Sequence, residues 1–120
     1  VTLSGQTALK DGVLVEGDIK EQARQAIENA MSIARHLEMG KSHILDVQVV
    51  LLDIDRDREG FEEVYEKELF PDPETRASRT LFGGRPANGS LIDNKVTMSK
   101  DIVRRGPPGD PETDDAGQIR

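Results

Sequence analysis

The stretch from Gly17 to Gly40 constrains the fold more than any other part of the chain. Asp18 is placed to cap a helix N-terminus, and Glu21 three residues on completes a capping box. Ile19, Ala23, Ile27, Ala30, Ala34 and Leu37 then recur at three- or four-residue steps, and Gly40 stands where a left-handed C-cap residue is expected. The spacing predicts a helix over 18–39. Its apolar face is rich in small residues (Ala23, Ala26, Ala30, Ala34), so it can lie close on a sheet. The next segment supplies that sheet. Val47, Val49, Val50, Leu51 and Leu52 are strand formers in a nearly continuous run, the pattern of a strand covered on both faces.

Around this pair the remaining elements read in order. Val1 to Gln6 reads as a strand, and Asp11-Gly12 starts a short return through Val13–Val15, a hairpin. Asp53 to Arg58 reads as a charged, solvated turn. A second helix over 60–70 carries Phe61, Val64, Tyr65 and Leu69, with Tyr65 in the core, and is stopped by Pro71 and Pro73. Strands are predicted over 76–82 and 91–98. The result is an α+β domain with two helices packed on one sheet face. From Arg104 onward, Gly, Pro and acidic residues replace apolar ones, so 104–120 reads as a flexible acidic tail behind a domain of residues 1–103.

With 120 residues there is room for one core. A net charge of -7 repels polyanions, and 3 % aromatic residues leave few stacking platforms, which argues against nucleic-acid partners and anionic membranes. No apolar run is long enough to span a bilayer. The absence of cysteine excludes disulfides and thiolate chemistry and fits a reducing, cytoplasmic setting. His36 and His43 lack metal-ligand spacing, so no metal site is expected. The polar composition suits an oligomer that buries further surface between subunits.

Two residues suggest chemistry on their own. Arg76, at the head of a predicted strand, presents a fork able to grip a carboxylate; it equally suits a surface arginine paired with one of the many acids. Asp93, inside the last strand, could position a water or carry a proton if buried, or simply face solvent. Ser4 has no histidine placed to activate it.

A resemblance sharpens this. Ser4-Gly5-Gln6, then Gly17-Asp18-Ile19-Lys20-Glu21-Gln22, then Ala26-Ile27-Glu28-Asn29, followed by the Val47–Leu52 strand, the Phe61–Phe70 helix and Thr75-Arg76-Ala77, resemble in order and spacing the Rid family, also called the YjgF or endoribonuclease L-PSP family. The likeness runs from Val1 to about Val103, with the family's first strand falling ahead of Val1. It implies a chorismate-mutase-like fold and a homotrimer with clefts between subunits. The implied activity is hydrolysis of reactive enamines and imines bearing a carboxylate, such as 2-aminoacrylate, to keto acid and ammonia without a cofactor. By that resemblance Arg76 holds the substrate carboxylate, Asp93 stands at the family's glutamate and orients the attacking water, and Ser4 lines the cleft. Ser78 and Glu62 fall at substrate-binding positions, Glu62 where the family has Asn and Glu74 where it has Pro. A non-catalytic trimeric metabolite-binding or regulatory protein is the alternative, and ribonuclease activity a third.

Overall fold

The computed structural model describes residues 1–72 and 76–100. The elements are β1 (Leu9–Lys10), β2 (Val13–Leu14), α1 (Ile19–His36), β3 (Ile44–Leu51), α2 (Ile54–Glu68), β4 (Ser78–Gly83) and β5 (Ile92–Met98), with single 3-10 turns at Lys41–His43 and Ala87–Gly89. β1 and β2 form the expected hairpin around Asp11 and Gly12, both at positive φ, as a two-residue turn of this hand requires. The main sheet is mixed, in the order β4-β3-β5, with β4 parallel and β5 antiparallel to the central β3.

Both helices pack on one face of that sheet. Ala23, Ala26, Ala30 and Ala34 of α1 are buried together with Val47, Val49 and Leu51 of β3, Ile92, Val96 and Met98 of β5, and Phe61, Val64 and Tyr65 of α2. Alternation along each strand sends the other residues outward. Gln48 is exposed, Val50 is half-buried and Leu52 is exposed. The central strand is therefore covered on one face only within the chain, where its continuous apolar run predicts cover on both.

Three boundaries differ from the sequence reading. α1 ends at His36 in a Schellman turn: Glu38 N–H donates to Arg35 O at 3.0 Å and Met39 N–H to Ala34 O at 2.9 Å. Burial of Met39 draws the turn upstream, so Glu38 takes the left-handed conformation at φ 60° and Gly40 does not. The charged run after β3 is the first part of α2 rather than a solvated turn. Asp53 caps it by accepting from Arg56 N–H at 3.1 Å, and acidic residues suit the positive end of a helix dipole. Asp57 in that turn is buried and gripped by Arg56 through Nε at 2.8 Å and Nη2 at 2.7 Å. Residues 1–6 form no regular strand; they lie extended along β5, touching it as isolated bridges. Glu74 and the 104–120 tail fall outside the described residues.

Candidate functional site

The outer sheet face carries a basin of about 280 Å³ lined by Gly5, Gln48, Val50, Phe82, Asp93 and Lys95. Register explains the grouping. Val50 of β3 pairs with Phe82 of β4 and Asp93 of β5, and Gln48 pairs with Lys95. These residues share the face that the core does not use. Val50 and Phe82 give an apolar floor, while Asp93, Lys95 and Gln48 supply polar groups.

The N-terminal segment forms one wall through a β-bulge. Leu3 N–H donates to Val96 O at 2.8 Å and Gln6 N–H to Asn94 O at 2.9 Å, so two residues, Ser4 and Gly5, oppose the single Lys95. Asp93 lies directly against Gly5: a Cβ there would sit 3.1 Å from Asp93 Cγ and closer still to Oδ1. The glycine of Ser4-Gly5-Gln6 is thus needed for close approach of the carboxylate. Asp93 Oδ1 is buried without a hydrogen-bond partner. Burial pushes its carboxyl above the ordinary carboxylate range, and Lys95 opposes this in part.

Two helix residues hold this arrangement in place. Gln22 Oε1 accepts from Leu91 N–H at 2.7 Å, just ahead of β5, and its Nε2 donates to Val15 O at 3.1 Å. Asn29 Nδ2 donates to Thr7 O at 3.0 Å and Leu9 O at 2.8 Å, just after the bulge. The Gln and Asn of the α1 motif therefore tie the helix to the two segments that deliver Asp93 and Gly5.

The other sequence-selected residues lie elsewhere. Ser4 is exposed beside the basin, and its carbonyl accepts from Gln6 Nε2 at 3.1 Å. Ser78 is exposed at the head of β4, in the row of Asp46, whereas Asp93 lies in the row of Phe82, four residues further on. That separation is roughly 13 Å along the strands, and Arg76 precedes Ser78. Arg76 Nη2 is 3.6 Å from Glu66 Oε2. One chain thus does not bring Arg76 and Asp93 together. Glu62 meets Arg79 at 2.7 Å in a half-buried pair, and the Arg79 guanidinium stacks 5.0 Å from the Tyr65 ring centre. His43 serves the backbone, its Nδ1 accepting from Gly40 N–H at 3.0 Å. Gln48, Phe82 and Lys95 carry no motif in the sequence; the signal for Lys95 is the polar alternation Asp93, Lys95, Thr97 along β5.

Among the described residues no three His, Asp or Glu side chains converge to hold a metal ion, and no helix is long and apolar enough to cross a membrane. Two helices on one face of a mixed sheet, with a polar basin on the other, define an α+β class shared with solved structures. Yeast Mmf1 superposes with a TM-score of 0.74 at 24 % identity, covering 87 % of this chain and 78 % of that one. YyfA from Yersinia pestis, described as a protein of unknown function of the conserved Rid protein family, does so at 0.74 and 21 %, covering 82 % and 78 %. At these identities the likeness establishes the fold. The family model for endoribonuclease L-PSP matches residues 1–90, and the chain belongs to that family. The Schizosaccharomyces pombe protein named "Protein mmf2, mitochondrial" is 44 % identical over 96 residues, 80 % of this chain and 66 % of that protein, so the chain spans just under two thirds of that relative.

Proposed function

We propose that this protein hydrolyses reactive imines and enamines bearing a carboxylate, of the 2-aminoacrylate type, to keto acid and ammonia. The observation that carries the reading is Asp93, a carboxylate set over an apolar floor with one oxygen buried and unpartnered, at a bulge. An ionised Asp93 accepts a hydrogen bond from a water and aims it at the imine carbon. Addition forms the C–O bond while the nitrogen takes a proton. The proton on the new hydroxyl then passes to nitrogen, so the carbonyl closes as the C–N bond breaks and ammonia leaves. Burial raises the pKa of this carboxyl, so it holds a proton more readily than an exposed carboxylate, which suits such proton exchange. Little more is required of the site, because holding water and imine in register supplies most of the acceleration.

Arg76 is proposed to grip the substrate carboxylate as a fork, with Ser78 beside it and Ser4 at the rim. Because one chain keeps Arg76 and Asp93 apart, the reading needs a second chain at the site, and we place it in a homotrimer whose clefts pair one subunit's Arg76 with its neighbour's Asp93. Glu62, engaged by Arg79, is left out of the site. The lack of cysteine supports a reducing compartment; the fission-yeast relative's name makes the mitochondrion as much a candidate as the cytoplasm.

The test adds the full-length protein, and its Arg76→Ala and Asp93→Asn variants, to an enzyme system generating 2-aminoacrylate, and follows keto acid and ammonia release. The parent should accelerate release and both variants should not. Ligand-dependent stabilisation without turnover would instead mark a binding protein.

A further inference from the structure

The basin contains a cation that the hydrolysis above does not use. Lys95 lies two residues from Asp93 on the same strand face, its Cα about 6.6 Å along, opposite the Ser4–Gly5 bulge. Although acids outnumber bases 23 to 16 in this chain, Lys95 has no carboxylate within ion-pairing distance among the described residues. Asp93 is its nearest acid in sequence on that face, yet Asp93 Oδ1 is turned against Gly5. Val50 and Phe82 form an apolar floor in the row of Asp93, and Gln48 stands beside Lys95 in the next row, so the basin offers an apolar patch at Asp93 and a polar, cationic one a residue pair along.

We propose that Lys95 makes this basin selective for imines carrying a second carboxylate, the 2-imino acids derived from acidic amino acids. The inference rests on the deaminase reading and deepens it. With Arg76 of a neighbour on the first carboxylate and Asp93 with Val50 and Phe82 at the C=N carbon, the distal carboxylate of a four- or five-carbon diacid reaches one residue pair along β5 to the Lys95 ammonium beside Gln48. The basin volume of about 280 Å³ lies at the small end of ligand sites and admits a diacid of this length. The reaction is unchanged: water enters, ammonia leaves, and Lys95 contributes one charge-assisted contact to binding.

The experiment uses the full-length protein with imines generated in situ by amino-acid oxidases from glutamate or aspartate, and from leucine or alanine, the remaining imine being trapped as its semicarbazone. The parent is expected to show a higher kcat/KM on the diacid imines. Lys95→Gln should lower the ratio of diacid to monoacid kcat/KM by roughly tenfold or more, chiefly through KM, and Lys95→Arg should preserve it. Lys95 is exposed, so both variants should melt as the parent does. In parallel, the product diacid 2-oxoglutarate should raise the melting temperature of the parent more than pyruvate does, and this difference should vanish in Lys95→Gln. A ratio unmoved by Lys95→Gln, or a parent that prefers monoacid imines, overturns the proposal while leaving the deaminase reading standing. A parent that clears neither class overturns both.

Discussion

Gly5→Ala tests whether the bulge and Asp93 act as one unit. The added methyl would stand 3.1 Å from both Cγ and Oδ2 of Asp93 and nearer still to Oδ1, where ordinary contact begins at 3.4 Å. Either the carboxylate retreats into the basin or the bulge lifts from β5; the first is easier, because Asp93 is a short side chain facing open space. The retreat is several tenths of an ångström to about 1 Å, and misplacing a reacting group by ~1 Å costs on the order of 100-fold in rate. Stability should barely suffer. Gly5 is not in the left-handed region, so alanine trims unfolded-chain entropy by ~0.4–1 kcal/mol, offsetting the displaced contact. The measurements are kcat/KM on an in-situ imine and Tm by scanning calorimetry. The expected result is activity reduced ~100-fold with Tm unchanged or slightly raised. Activity within ~3-fold of the parent would show that the position of Asp93 against Gly5 has no part in catalysis.

Other perturbations probe the frame. Tyr65→Phe removes a fully buried hydroxyl that has no hydrogen-bond partner and whose burial pushes its pKa up to about 12; a gain of ~1 kcal/mol in chemical denaturation is expected, and a loss would show that the hydroxyl is paired. Glu38→Gly relieves a left-handed residue at φ 60°, at the expense of one exposed pairing with Lys100; stability should rise by roughly 0.5–1 kcal/mol in urea unfolding. For Asp93, a raised folded-state pKa means that ionisation costs stability above that pKa and nothing below the unfolded value of ~4. Asp93→Asn should therefore raise Tm at pH 7–8, with the gain fading as pH falls toward ~4; a gain that grows on acidification would contradict burial as the cause.

The frame was legible where local chemistry and periodicity agree. A cap, a 3.6-residue period and alanines at its face announce α1, and Asp11-Gly12 announces the hairpin. The start of α2 was not legible because Asp53 to Arg58 carries its helix signal in a capping carboxylate and a buried Asp57, neither of which shows as an apolar stripe. α1 ends upstream of Gly40 because burial of Met39 outweighs the preference of a left-handed turn for glycine. The site was hardest to read. Asn94 is polar yet buried between Asp93 and Lys95, which disguises the inward–outward alternation that would have exposed Lys95 as a basin residue. Asp93 is legible in the sequence as a strand carboxylate with a chemical option, but not as a buried one, since its unpartnered oxygen depends on Gly5, nearly ninety positions away in the chain.

The outer sheet face decides how the site is completed. It exposes Phe82 and Leu52 at 44 % and 46 %, yet it also carries Asp93, Lys95 and Gln48, so it is too apolar for a free face and too polar for a core. A face of that composition suits an interface that leaves polar clefts, and, on the proposed reading that Arg76 and Asp93 serve one site, their separation calls for two chains. That arrangement has a signature no single-chain site can produce. In the proposed homotrimer, Arg76→Ala and Asp93→Asn chains, each expected to be inactive alone, are unfolded together in equal amounts and refolded as mixed assemblies. About a quarter of the clefts then receive an intact Arg76 from one chain and an intact Asp93 from its neighbour, if assembly is random. Recovery of about a quarter of parental activity on mixing is the expected result. No recovery, with trimers verified by mass, would mean that both groups act from one subunit or that one of them does not act at all.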